Sequence, residues 1–387
     1  MRRVRQTRPD AAAVLTVNAG SSSLRLARFA SAGAEPAARA HAAPPPAASA
    51  AYLQRFVPAD GGRVEAVVHR VVHGGERLRE PCLVDTAVET EIARLAALAP
   101  LHNAAALAWI RAARAAFDVP QIAVFDTGFY ADLPPHAARY PLPAELCRRL
   151  QIRRYGFHGL AHRYMVEYWQ RDRGDGTGLG RTVSLQLGSG CSMTAAVDGR
   201  AVETSMGFSP LEGLMMATRC GDLDPAVVLR LAGDGAFGLE EIDWILNHES
   251  GLIGVAGDSG DMAGLLERDD ADARLAVDMF CHRLRKYLGA YLAVLGGAEA
   301  ILFGGGIGER APFIRARALE GMAWAGIELD PDRNAAVDAE RGGVISAASS
   351  RVAVRVVPVR EDLLLADLGR GVLRHTAAAP GSAADGP

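Results

Sequence analysis

Arginine, histidine and carboxylate residues recur in this chain inside short glycine-bearing blocks: HRVVHGGE (69–76), FDTGF (125–129), RRYGFHGLAH (153–162), MGFSPLEGLMMATRCGDLDP (206–225) and PVREDLL (358–364). Such blocks hold charge close to exposed backbone, which is how anionic ligands are gripped. Taken singly, each charged group has a plainer role. Arg70 suits a strand surface, His158 a core, Asp126 the cap of a turn, and Arg219 an ion pair with Asp222 or Asp224.

Three glycine-rich turns add to this pattern. VLTVNAGSSSLRLARF (14–29) and TVSLQLGSGCSMTAAVDGR (182–200) both read as strand, small-residue turn, strand. ILFGGGIGER (301–310) reads as a strand that runs through glycines into a helix. One Gly/Ser hairpin alone means little, because these are ordinary turn residues. Three in one chain point to phosphate binding, since glycine lets backbone N–H groups approach an anion. The spacing does not match GxxxxGK[ST], so this is not a P-loop.

The elements that must position these groups alternate in type. VEAVVHRVVHGG (64–75) and QIAVFDTGF (121–129) are β-branched runs ending in turn residues, as buried strands do. Residues 89–117 carry helical periodicity broken at Pro100, and a second long helix is expected from Asp272 to Leu295. The class is therefore α/β. At 387 residues two domains are expected, and 49% hydrophobic with 22% charged residues is a folded composition. Segments 1–11, 40–50 and 376–387 are expected to be unstructured on composition.

A net charge of -3 leaves no basic footprint for nucleic acid, so small molecules are the expected partners. Basic residues are nearly all arginine; Lys286 is the only lysine. The five cysteines show no metal-ligand spacing, and neither a signal segment nor a membrane span is evident. The expected location is the cytoplasm.

Taken together, NAGSSSLR, HRVVHGGE, APLHN, FDTGF, RRYGFHGLAH, TSMGFSPLEGLMMATRCGDLDP, GGGIGE and PVREDLLLA resemble the acetate kinase family in order and approximate spacing, over about residues 14–370. That resemblance implies two duplicated RNase H-like domains of the actin-like ATPase superfamily, with a nucleotide cleft between them. The implied domains are 12–150, with a C-terminal helix 363–375 packing back on it, and 151–362, with 1–11 and 376–387 as tails. The implied reaction is reversible phosphoryl transfer between ATP and acetate, giving acetyl phosphate and ADP. Mg2+ is the implied metal, with Mn2+ as an alternative, and a homodimer without nucleic-acid or membrane partners is implied.

Residue by residue, the resemblance implies Asp126, His158 and Arg219 in catalysis, with Arg70 and Arg219 clamping carboxylate and phosphoryl groups. Val72, Leu101, Phe157 and Pro210 correspond to a small acyl pocket. Asn18 and Glu361 correspond to metal ligands. Nucleotide contacts fall to Ser21, Ser23 and Arg25 in the first loop, Gln186, Leu187, Gly188, Ser189 and Gly190 in the second, and Gly306, Ile307, Gly308, Glu309 and Arg310 in the third. Five positions depart from the family pattern: Arg25 stands for lysine, Gln186 and Ser189 make QLGSG of HLGNG, Ala263 stands for arginine, and Arg310 for the asparagine after GIGE. These changes lie on the nucleotide side and leave the donor open. Alternatives are a propionate or butyrate kinase, or a weakened nucleotide-binding sensor on the same fold.

Overall fold

The computed structural model describes residues 13–20, 24–33, 35–42, 47–57, 63–173, 180–233, 235 and 237–378. The chain divides into two compact units, 1–128 with 360–387, and 129–359.

The first unit is built on a six-stranded sheet: β1 (Ala13–Ala19), β2 (Leu24–Phe29), β3 (Ala38–Ala42), β4 (Val64–Val71), β5 (Cys82–Leu83) and β6 (Gln121–Phe125), in the order β3-β2-β1-β4-β6-β5. β1, β2 and β3 form an antiparallel meander, β1, β4 and β6 run parallel, and β5 closes the edge antiparallel to β6.

The second unit repeats this design with β7 (Arg181–Leu187), β8 (Cys191–Val197), β9 (Arg200–Thr204), β10 (Ala300–Gly304), β11 (Gly343–Val344) and β12 (Ala353–Val356). Its order from the meander edge is β9-β8-β7-β10-β12-β11, with the same parallel core β7, β10, β12. The same topology twice in one chain is the duplication that the family resemblance implies.

β1, β6 and β10 are buried at every position, so both faces of the sheet are covered there, as parallel strands require. In the first unit the helix Pro100–Ala116 packs on β4 and β1. Pro100 opens that helix, where its missing N–H costs nothing, so the expected break is a stop and restart. The C-terminal helix Glu361–Ala378 packs on β1, β2, β4 and β6. Gly369 permits that contact, because a Cβ there would lie 2.3 Å from Val68 Cγ2. In the second unit the helix Ala271–Leu295 packs on β7 and β8, capped by Asp270 at its start and by Gly296, at φ 66, at its end.

Several expectations are corrected. Residues 129–150 group with the second unit rather than the first: Tyr130, Leu133 and Ala138 form a core with Ala201, and Arg154 N donates to Ala138 O. Glu361 and Asp362 belong to the first unit, where they open the C-terminal helix. That helix continues to Ala378, with Thr376 Oγ1 donating to Val372 O, so residues 376–378 of the expected tail are helical, and its remainder lies outside the described residues. Residues 40–50 are not uniformly unstructured. Ala40 to Ala42 lie in β3, and Ser49 caps the helix Ala50–Gln54 by accepting from Tyr52 N. No helix among the described residues is long and apolar enough to cross a membrane.

Candidate functional site

Each sheet brings three parallel strands to one edge, and the C-terminal ends of such strands are where open α/β sheets bind ligands. In the first unit this edge carries Asn18 on β1, Arg70 on β4 and Asp126 just after β6. Arg70 Nε donates to both Asp126 oxygens at 3.2 and 3.1 Å, its Nη2 donates to Asp126 Oδ2, and its Nη1 reaches Asn18 Oδ1 at 3.1 Å. Asn18 Nδ2 then donates to Glu361 Oε2 at 2.7 Å.

Asp126 is fully buried, and its charge is compensated by the guanidinium. Burial alone would lower the pKa of Arg70, but Asp126 and Glu361 outweigh it and raise it. Arg70 is therefore a permanently charged, fixed fork with N–H groups on Nη1 and Nη2 left for a ligand. Asn103 holds the chain after β4 by accepting from His73 N at 3.0 Å and donating to His73 O at 2.9 Å. Gly74 N donates to Thr127 Oγ1 at 2.9 Å, tying that turn to the Asp126 segment.

In the second unit His158 precedes the helix Gly159–Arg173 in the left-handed region, at φ 55. A non-glycine residue held there stores strain, a feature that clusters at functional sites. Its Nδ1 lies 2.8 Å from Ser192 Oγ on β8. A Cβ at Gly190 would lie 3.3 and 3.4 Å from His158 Cε1 and Nε2 and 3.6 Å from Arg219 Nη1, so the second glycine turn, His158 and Arg219 share one small space.

Arg219 donates only to Pro210 O at 3.1 Å and Met216 Sδ at 3.6 Å among the described residues. Neither expected partner takes it: Asp222 binds Tyr287 and Arg283, and Asp224 caps Ala226 N. Burial without a carboxylate lowers the Arg219 pKa. A desolvated guanidinium without a counter-ion is built to receive an anion. Its loop is fastened by Met216 N to Arg219 O, Leu252 N to Met216 O and Ser250 N to Thr218 O.

Beside this loop, β10 runs into the helix Gly305–Arg310. Gly305, at φ 77, must be glycine, because a Cβ would lie 2.5 Å from Leu187 O. The third glycine turn is thereby pressed against the second. Glu309 Oε1 accepts from Gly305 N at 3.0 Å and Val359 N at 3.2 Å; burial raises its pKa against those bonds. Arg315, buried beneath, donates to Gly308 O and Glu309 O at 2.9 and 3.0 Å. These two turns open onto a cavity of about 720 Å³ whose walls include Ser189, Ala217, Asp261, Ala263, Ile307 and Arg310. Its walls are apolar or backbone apart from Ser189, Asp261 and Arg310, which is the form of a small-molecule pocket.

Asn18, Arg70, Asp126 and Glu361 come together in the first unit, and His158, Arg219, Gly190 and the Gln186 to Gly190 turn in the second. Val72 is buried just beyond β4, Phe157 is buried ahead of His158, and Pro210 holds Arg219 through its carbonyl. Ser21, Ser23 and the side chain of Leu101 lie outside the described residues. Arg25 is exposed on β2, and Arg310 pairs with Glu340 at 3.2 Å. Residues not singled out from sequence include Asn103, His162, Ser192 and Arg315. Asn103 and His162 had a signal, their places in APLHN and RRYGFHGLAH, whereas Ser192 and Arg315 act through contacts that no spacing announces.

For a metal, the first unit offers oxygen donors. One Glu361 oxygen makes no hydrogen bond among the described residues, whereas both Asp126 oxygens are occupied by Arg70. No group of three His, Cys, Asp or Glu that could hold a metal occurs among the described residues. One or two carboxylates with water and phosphate completing the shell is a Mg2+ donor set, so the residues fit that ion.

The model of the Acetokinase family matches residues 47–367. The acetate kinase of Chloroherpeton thalassium is 46% identical over 318 residues, covering 80% of this chain and 76% of that protein. The acetate kinase of Streptomyces coelicolor is 47% identical over 311 residues, covering 79% and 76%. The crystal structure of Porphyromonas gingivalis acetate kinase aligns with a TM-score of 0.86 at 30% identity over 94% of this chain and 100% of that one, and a Francisella tularensis propionate kinase aligns at 0.83 and 30% over 92% and 98%. The family match begins after the NAGSSSLR hairpin, but Asn18 of that hairpin is bonded to Arg70 and Glu361, which lie within it. With the repeated sheet, the strand-end polar sets and these likenesses in agreement, the chain belongs to the acetokinase family.

Proposed function

We propose that the protein catalyses reversible, Mg2+-dependent phosphoryl transfer between ATP and acetate, giving acetyl phosphate and ADP. The observation that carries this reading is Arg219, a partly buried guanidinium with no carboxylate partner among the described residues, beside His158 and the Gly190 turn.

Acetate, a carboxylate like the model carboxyls whose pKa is about 4, is ionised at neutral pH and needs no general base. The protein must instead orient the nucleophile in line with the transferring phosphoryl group and balance charge on its oxygens. In this reading Arg70, fixed by Asp126 and Asn18, binds the acetate carboxylate through its remaining N–H groups. Asp126 is then a positioning group rather than a proton acceptor. Arg219 and His158 donate to the phosphoryl oxygens, and the cavity holding Ala263 and Arg310 takes the nucleoside. Val72, Phe157 and Pro210, with Leu101, correspond to the acyl pocket, whose residues are those of the acetate-using family pattern.

Asn18 and Glu361, with Asp126 behind them, would hold Mg2+, which when bound neutralises charge on the nucleotide phosphates. A homodimer in the cytoplasm completes the proposal.

The test is acyl hydroxamate formation by purified protein with Mg2+, hydroxylamine and acetate, propionate or butyrate, using ATP, GTP or pyrophosphate as donor. Acetate-dependent product with ATP, falling with chain length, is expected. Faster turnover of propionate or butyrate would move the substrate assignment, and ATP binding without product from any pair would overturn the enzymatic reading.

A further inference from the structure

Behind His158 lies a buried chain of hydrogen bonds that ends at a hydroxyl. His158 Nδ1 is 2.8 Å from Ser192 Oγ, Ser192 Oγ is 2.7 Å from His162 Nε2, and His162 Nδ1 is 2.7 Å from Ser184 Oγ. His162, Ser184 and Ser192 are fully buried. The geometry has a simple origin. His158 and His162 are four residues apart, joined by the helix-opening bond from His162 N to His158 O at 3.0 Å, and so project from one side. Ser184 and Gln186 lie on one face of β7, and Ser192 faces Gln186 across the β7–β8 pair.

With Ser192 accepting one bond and donating the other, so that its buried hydrogen has an acceptor, a chain of two hydroxyls and two imidazoles can be proton-ordered in two directions. In the first, Ser184 donates to His162 Nδ1, His162 Nε2–H donates to Ser192, and Ser192 donates to His158 Nδ1. Every donor of the three fully buried residues is used, and the proton of half-buried His158 is on Nε2. In the second, His158 Nδ1–H donates to Ser192, Ser192 to His162 Nε2, and His162 Nδ1–H to Ser184. The Ser184 hydrogen then has no acceptor among the described residues, and a buried donor without a partner is disfavoured.

We propose that Ser192, His162 and Ser184 are positioning residues that hold His158 as a neutral imidazole with its proton on Nε2, the nitrogen on the side of Gly190 and Arg219. A charged His158 would need both nitrogens to donate, which forces the second ordering or leaves the buried Ser192 hydrogen without an acceptor among the described residues. Two further facts favour the neutral ring. Burial drives the His162 pKa well below 6.5, so His162 remains a one-proton link. Arg219 beside the same Gly190 also opposes a second positive charge there. The device delivers an aimed, uncharged N–H donor beside a permanent cation and avoids packing two cations together.

The inference rests on the proposed reaction only for what the Nε2 proton is used for. The ordering itself can be read without turnover. In intact protein carrying 15N-labelled histidine, the ring nitrogen spectrum at neutral pH is expected to show His158 protonated on Nε2 alone. A His158 protonated on Nδ1, or on both nitrogens, overturns the proposal whether or not the protein is active. Ser192→Ala should shift His158 to a mixture of tautomers and lower kcat on the order of tenfold to a hundredfold, with KM for ATP and acetate nearly unchanged. His162→Gln, whose amide nitrogen takes the place of Nε2 and still donates to Ser192, should restore most of what His162→Asn loses. Equal loss in these two variants with intact thermal unfolding, or a Ser192→Ala enzyme with unaltered tautomer and kcat, refutes it.

Discussion

Replacing Arg219 with alanine separates catalysis from stability, because its guanidinium is held in the protein by little. Among the described residues its donors reach one carbonyl, Pro210 O at 3.1 Å, and one thioether, Met216 Sδ at 3.6 Å, and no carboxylate repays its desolvation. The folded protein thus carries an unfavourable buried charge that only an anionic ligand relieves, and removing it costs the fold little beyond the packing of its stem. The reacting phosphoryl group would lose a charge-assisted donor whose reorganisation is already complete in the free protein. A single preorganised donor of this kind contributes about 3–4 kcal/mol, on the order of 10²–10³ in rate, and a fork using two N–H groups reaches the upper end or beyond. Arg219→Ala should therefore lower kcat in the hydroxamate assay on the order of 10³-fold with a modest change in KM for acetate. Its thermal midpoint should stay within about 3 °C of the parent or rise, since about 1 kcal/mol moves a unit of this size by roughly 2–4 °C. A variant that unfolds much earlier, or one that turns over normally, refutes the reasoning: the first makes Arg219 structural, the second makes it irrelevant to the phosphoryl group.

Asp126 should behave oppositely. Asp126→Ala leaves the Arg70 charge without its counter-ion at a buried edge and should lower stability by about 3–5 kcal/mol, with Asp126→Asn milder because its amide oxygen still accepts; urea midpoints measure both, and equal stability of all three forms refutes the ion-pair role. Gly305→Ala should raise KM for ATP at least about tenfold, because its φ of 77 costs a side chain roughly 1–2 kcal/mol and its Cβ meets Leu187 O at 2.5 Å. Gly306→Ala, whose Cβ meets nothing within 4 Å, should leave the thermal midpoint unchanged, and a matching loss of stability in both refutes the distinction. His69 and His73, lowered by burial from 6.5 to about 4, take up protons more readily in the unfolded chain, so between about pH 6.5 and 4 unfolding binds protons and stability falls as pH falls. The urea midpoint should drop across that window and drop less in His69→Gln; an equal slope in the variant would show that other groups dominate.

The sequence by itself determined the α/β class, the two hairpin echoes, the helix break at Pro100 and the blocks that carry Arg70, Asp126, His158, Arg219 and Glu361. These were legible because alternation, β-branching, proline and glycine report local backbone states, and because the functional groups lie in contiguous runs. What the same runs could not say was who partners whom. Arg219 had two aspartates within five residues and pairs with neither, whereas Asn18 bonds Glu361 from the far end of the chain. Residues 129–150 were misassigned because a continuous chain shows no mark where its packing changes sides, and only the core of Tyr130, Leu133 and Ala138 with Ala201 decides it. The relay behind His158 was equally invisible, since Ser184 and Ser192 are ordinary strand serines until β7 and β8 pair and a helix lowers His162 between them. Local propensity is written residue by residue, but burial, charge compensation and the direction of a hydrogen bond are properties of neighbours, and only the folded chain chooses the neighbours.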